Sequence, residues 1–170
     1  IVATGGLTVN GNTTNSCISV TGLIDATGGS GSILLNGRNV IASANILTAA
    51  GDIAIYGNGG GVYQAGTFDG VCISGSTVNV NTTSGNITID GRAGGGSVNK
   101  GVNITSARVS TTGSGAVTIT GVSGNGSTIN ACGVYLNNSC VTSNSGNLTI
   151  NGTACGTGRD STGVYLFGSS

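Results

Sequence analysis

The segment Ser84-Gly-Asn-Ile-Thr-Ile-Asp-Gly91 recurs with small changes as Ser114-Gly-Ala-Val-Thr-Ile-Thr-Gly121 and as Ser145-Gly-Asn-Leu-Thr-Ile-Asn-Gly152. Looser copies begin at Gly5, Ser30 and Ala50. The three close copies follow one another at a spacing of about 30 residues, within the range of about 20–50 that is the signature of repeat architectures. In such proteins one structural unit stacks on the next. The sequence therefore predicts a repeat protein.

Two further motifs lie between these copies. A Gly-Val-x-Ile/Leu motif begins at Gly70, Gly101, Gly133 and Gly163, so it recurs at the same spacing as the first motif. A single valine before a run of Ser, Thr and Asn recurs as Val78, Val109 and Val141. Because the motifs share one spacing, we expect three short strands in each repeat.

Alternation within each strand indicates one buried face. Ile87 and Ile89 are apolar and Thr88 between them is polar, which is the period-2 pattern of a half-buried strand. A strand this short buries little alone, but equivalent strands stacked about 4.8 Å apart form continuous aliphatic columns. We therefore predict an all-β fold: a parallel β-helix, or β-solenoid, of about six coils. Residues 1–170 would form one segment of a longer array or filament.

The repeat length varies, and this predicts where loops lie. The copies that contain Gly31 and Gly51 follow each other more closely than the later copies that contain Gly85, Gly115 and Gly146. The closest spacing sets the core coil at about 20 residues, and the surplus of later repeats forms glycine-rich loops along one edge, such as Gly91–Lys100. The alternative fold is an antiparallel sandwich, which would need hairpin signals at 8–12-residue spacing but no repeat in register.

Composition supports the all-β class and excludes several functions. The chain has 34 glycines, no proline, zero net charge and only 6% charged residues, against about a quarter in ordinary domains. Its 37% hydrophobic fraction and lack of net charge argue against disorder. Without histidine there is no Ser-His-Asp or Cys-His nucleophile, and five scattered Lys and Arg residues do not suit nucleic acid. We expect no enzyme activity, no cofactor, no nucleic acid and no membrane span.

The units Gly-Asn-Ile-Thr-Ile-x-Gly and Gly-Val-Tyr-Leu resemble the repeats of large secreted bacterial exoproteins of the filamentous-haemagglutinin type and of autotransporter passengers. The resemblance covers the chain from Gly5 to Leu166. It implies a right-handed parallel β-helix, export across an outer membrane, an extracellular or cell-surface location, and a role in adhesion or surface coating.

Candidate site residues are few. The five cysteines include no CxxC pair, which argues against zinc and redox motifs. We place Cys132 and Cys155 in the edge loops of the last coils, where an exported protein would permit a disulfide between them; the alternative is that the cysteines are small buried hydrophobes. Tyr135 and Tyr165 share one repeat position, so we expect them to lie one above the other and contact a partner, a glycan or a neighbouring filament.

Acidic residues give weaker candidates. The segment Gly156–Asp160 resembles half of a calcium-binding repeat, but no second copy stacks on it, and a polar loop is the preferred interpretation. A paired-carboxylate site, as in polysaccharide-cleaving β-helices, would need two of the five aspartates to meet, and these occupy different repeat positions.

The sequence thus favours a structural component of an extracellular fibre, sheath or adhesin stalk that self-associates end to end or laterally. The alternative is an adhesin module whose edge loops recognise a glycan or host receptor.

Overall fold

The computed structural model describes residues 1–11, 16–58, 64–96, 99–126, 131–159 and 161–169. These residues form strands joined by turns and loops, without a helix. The strands belong to three parallel sheets. Sheet 1 contains β1 (Leu7–Asn10), β4 (Ile33–Gly37), β7 (Ile53–Gly57), β10 (Ile87–Arg92), β13 (Val117–Val122) and β16 (Leu148–Thr153).

Sheets 2 and 3 complete each coil. Sheet 2 contains β2 (Cys17–Val20), β5 (Asn39–Ala42), β8 (Val71–Ser74), β11 (Val102–Thr105), β14 (Cys132–Asn137) and β17 (Thr162–Phe167). Sheet 3 contains β3 (Ile24–Ala26), β6 (Ile46–Thr48), β9 (Asn79–Thr82), β12 (Arg108–Thr111) and β15 (Cys140–Ser143). Each strand pairs in parallel with the strand one coil away. The chain is therefore a parallel β-solenoid, as the repeat predicts, and it has about five turns where about six coils were expected.

The variable repeat length is absorbed at one edge, between sheets 1 and 2. Ile33 in β4 pairs with Ile53 in β7, one coil later. The chain between these two residues therefore makes one complete coil without a long loop. Only Arg38 separates β4 from β5, whereas residues 93–101 separate β10 from β11. Neighbouring edge loops hydrogen-bond to each other; the amide of Gly94 donates to the carbonyl of Phe68 at 3.0 Å. The predicted short core coil and the edge loops are confirmed.

Aliphatic columns fill the interior. In sheet 1 the column Ile33, Ile53, Ile87 and Val117 and the column Leu35, Ile55, Ile89 and Ile119 are fully buried. Sheet 2 contributes Val40, Val71, Val102 and Val134, and sheet 3 contributes Ile46, Val80, Val109 and Val141. Each fully buried aliphatic side chain contributes about 1.5–3 kcal/mol to stability. Stacked coils therefore form a hydrophobic core that no single short strand could form.

The predicted equivalence of Val78 with Val109 and Val141 is wrong. Val109 pairs with Val80, not with Val78, although Val78 is also buried. Side chains two residues apart point to the same face of extended backbone, so both valines point inward and the sequence pattern could not separate them.

Glycine columns allow sheets 1 and 2 to meet closely. Gly121 occupies an inward position at the end of β13, and a Cβ there would collide with the carbonyl oxygen of Gly133. Gly57, Gly91 and Gly152 face a glycine of the sheet 2 motif in the same way. The absence of side chains at these positions brings the two backbones into contact and closes the core where the edge loops depart.

Candidate functional site

The outer face of sheet 2 carries the exposed aromatic residues of the described part of the chain. Outward positions form the column Ile41, Cys72, Asn103, Tyr135 and Tyr165. The rings of Tyr135 and Tyr165 are stacked, with centroids 5.5 Å apart and planes inclined by 4°. The structure therefore brings together the two tyrosines that share a repeat position in the sequence.

Two residues that the sequence analysis did not single out complete this surface. Lys100 Nζ lies 5.0 Å from the centroid of the Tyr135 ring, an attractive cation–π distance. Phe167 lies two residues after Tyr165 on β17, so both side chains point outward. Phe167 is 58% exposed and Tyr165 is 42% exposed. We call Lys100, Tyr135, Tyr165 and Phe167 the aromatic surface. The period-2 alternation of β17 was a signal in the sequence for Phe167.

Lys100 is held in place by the preceding coil. Its amide donates to Asp69 Oδ1 at 2.7 Å, and Asp69 Oδ2 accepts from Asn103 Nδ2 at 2.8 Å. Burial, and secondarily the Asp69 carboxylate, raises the pKa of the nearby Cys72 thiol. Asp69 and Lys100 carry opposite charges, so the aromatic surface and its surroundings carry no net charge from these two residues.

The two cysteines of the predicted disulfide lie in different environments. Cys132 lies in β14 and is buried, not in an edge loop as expected, whereas Cys155 is exposed in the edge loop after β16. No disulfide joins the five cysteines, all of which are among the described residues. Burial raises the pKa of the Cys132 thiol, which disfavours the thiolate that disulfide exchange requires. The Cys132–Cys155 disulfide stays a prediction.

Aspartates do not gather into a site in the described part of the chain. Asp25 lies in β3, Asp52 precedes β7, Asp69 precedes β8 and Asp90 lies in β10, so each occupies a different position in its coil. Asp160, the last residue of the calcium-like segment, lies outside the described residues. Among the residues the structure describes, no three side chains are grouped to hold a metal ion. Those residues also include no helix of the length and apolarity needed to cross a membrane.

Comparison of the chain with protein-family models, curated proteins and solved structures found no match. A fold alone does not dictate function, so the function must be inferred from the surfaces of the chain itself.

Proposed function

We propose that the chain is a non-enzymatic structural segment of an extracellular fibre, sheath or adhesin stalk. The observation that carries this proposal is the uniform stacking of coils through columns of aliphatic side chains. Because each coil interacts mainly with its neighbours, adding coils extends the rod without a new core. A rod whose length can be extended in this way suits a mechanical or spacer role. The resemblance of the repeats to secreted exoproteins supports the proposed extracellular location.

Both terminal coils expose apolar side chains that a further coil would cover. Leu148 and Leu166 are 46% and 61% exposed, although their counterparts one coil earlier, Val117 and Leu136, are buried. At the other end, an apolar depression of about 300 Å³ opens between Val9, Ile18 and other inward residues of the first coils. Another coil, from the same polypeptide or from a second copy, would cover these side chains and pair the open strand edges.

Lateral packing is supported by the outer faces. Along sheet 1 the outward positions include Thr88, Thr118 and Thr149, which lie in register. Five basic and five acidic residues in 170 leave little like-charge repulsion between rods that lie side by side. We propose that rods associate along such neutral faces.

Electron microscopy and light scattering across a range of concentrations test this proposal. We expect rods of uniform width that lengthen as concentration rises. Leu166→Asp would place a charge in the apolar column at the end of the stack and should shorten the rods at least about tenfold, because a carboxylate is costly to bury. Thr149→Asp is the matched control for rod length, because Thr149 lies in the same coil but points outward, so this variant should weaken lateral packing without shortening the rods. A single monomeric species at all concentrations would contradict the proposal.

The alternative, recognition of a glycan or host receptor by the edge loops, stays a prediction. Deleting residues 123–132 would leave Val122 alone between Gly121 and Gly133, which is the length of the Arg38 connection between β4 and β5. Loss of cell or glycan binding with rods retained would favour the loops as the recognition element.

A further inference from the structure

The aromatic surface lies within a small grid of outward side chains on sheet 2. One column of the grid contains Asn103, Tyr135 and Tyr165, and the other contains Thr105, Asn137 and Phe167. The chain has only four tyrosines and two phenylalanines, so this grid gathers half of its aromatic residues. Aromatic rings interspersed with amides and hydroxyls can contact both the apolar and the polar parts of a ligand.

The tyrosine rings are held in position before any ligand arrives. Tyr135 is enclosed between Lys100 on one side and Tyr165 on the other, and Tyr165 is held parallel to it. The backbone of Lys100 is in turn fixed by the hydrogen bond from its amide to Asp69. Rings that are already ordered lose little conformational freedom on binding, so even a small contact gives useful affinity.

The dimensions of the grid favour a small ligand over a folded protein. Its three strands lie about 4.8 Å apart, and along each strand it spans three residues of about 3.3 Å each, which gives roughly 150 Å². A stable protein–protein interface needs about 800 Å² on each partner. The smaller area of the grid accommodates two or three sugar rings instead.

The charges of the grid favour a neutral ligand. Lys100 contributes one positive charge, with Nζ over the Tyr135 ring, and Asp69, which accepts from the backbone amide of Lys100 and from Asn103 Nδ2, contributes one negative charge. Because these two charges sum to zero, a uronate or a sulfated sugar gains no net electrostatic attraction from them. We propose that the grid binds a neutral oligosaccharide, with C–H faces of the sugar on Tyr165 and Phe167 and sugar hydroxyls near the tyrosine hydroxyls and Asn137. This activity goes beyond the structural role and does not depend on it.

Titration calorimetry with neutral β-glucan, mannan and galactan hexasaccharides, and with hexauronates of equal length, tests this inference. We expect at least one neutral hexasaccharide to bind the intact chain and the hexauronates to bind at least about tenfold more weakly. Tyr165→Asn and Phe167→Asn should each weaken binding at least about tenfold. Both substitutions introduce the residue type already found in the same column, at Asn103 and Asn137, so folding should persist.

Tyr56→Asn is the matched control, because Tyr56 points outward on sheet 1 and pairs with Asn36. Its affinity for the hexasaccharide should equal that of the unmodified chain. Circular dichroism verifies that all three variants keep their strands. The inference is overturned if no neutral hexasaccharide binds, if the hexauronates bind as tightly, or if the Tyr165 and Phe167 variants bind like the unmodified chain.

Discussion

Asp90 lies half-buried on the outer face of sheet 1, where its register partners are Tyr56 in one coil and Thr120 in the next. Burial raises the pKa of its carboxyl group, and the attraction of Arg92 opposes this rise only in part. The charged form of Asp90 is thus less favourable in the folded protein than in the unfolded chain. At the residue scale, single polar groups therefore make specific and separable contributions to stability.

Asp90→Asn should stabilise the protein at pH 7 by no more than about 1 kcal/mol, because the carboxylate is still partly solvated. A carboxyl group whose pKa is raised on folding favours the folded state below its ordinary pKa of 3.8, and this contribution is lost as pH rises through the folded pKa. The advantage of the variant should therefore disappear near pH 3. Thermal unfolding of both proteins between pH 3 and pH 8 measures it; an advantage that is independent of pH would contradict the assignment.

Thr82 is a buried polar residue with a structural role. Its side-chain hydroxyl lies 3.1 Å from the carbonyl of Gly51 and accepts the amide of Gly85 at 3.0 Å. Thr82→Val keeps the shape but removes both interactions, so we expect a loss of about 1–3 kcal/mol in the free energy of unfolding. Thr118→Val, on the outward face of β13, is the control and should change stability by less than about 0.5 kcal/mol. Urea denaturation provides the measurement, and equal effects of the two variants would refute the role of Thr82.

At the scale of the element, the corners before β7, β10 and β13 are each bonded to a side chain of the preceding coil. The amide of Asp52 donates to Ser32 Oγ at 3.0 Å, the amide of Asn86 to Asp52 Oδ1 at 2.7 Å, and that of Ala116 to Asn86 Oδ1 at 2.9 Å. These bonds satisfy backbone amides where the chain turns. They also set the register of the strand that follows, since a one-residue slip would turn its aliphatic side chains outward.

Gly121→Ala should reduce stability by about 3 kcal/mol or more, because the new methyl group would meet the Gly133 carbonyl and push sheets 1 and 2 apart. Gly22→Ala is the matched control, since nothing lies within 4 Å of a Cβ at that position. Alanine at Gly22 should be neutral or slightly stabilising, because it restricts the unfolded chain. Denaturation midpoints distinguish the two variants, and a tolerated alanine at Gly121 would mean that the sheets are not in contact there.

At the scale of the whole molecule, the solenoid behaves as a row of units held by contacts between neighbours. Ile87 stacks between Ile53 and Val117, so the coils on either side of it present similar surfaces. An array of this kind tolerates the loss of a whole unit better than the loss of part of one.

Deletion of residues 85–114 removes one repeat and joins Ser84 to Gly115, which places Val117 where Ile87 was. We expect this variant to retain its β-sheet circular dichroism and a cooperative unfolding transition. Deletion of residues 85–99 removes half a repeat and should abolish cooperative unfolding, because every later strand then arrives at the wrong sheet. Equal behaviour of the two deletions would contradict stacking in register.

The sequence alone determined the parallel solenoid, its edge loops and the juxtaposition of Tyr135 with Tyr165, because these follow from periodicity. Equivalent positions in successive coils must lie side by side once coils stack, so a repeat read along the chain becomes a column in space. Period-2 alternation likewise identified Ile87 and Ile89 as core residues.

Only the tertiary structure decided the features that depend on how the corners and edge loops run. It paired Val109 with Val80, placed Cys132 in a strand, turned Thr82 inward to bond Gly51, and brought Lys100 over Tyr135. The physical reason is that the angle at each corner and the course of each edge loop set these contacts. The corner angles and the loop courses depend on the backbone conformation of short glycine-rich segments, which no periodic pattern encodes.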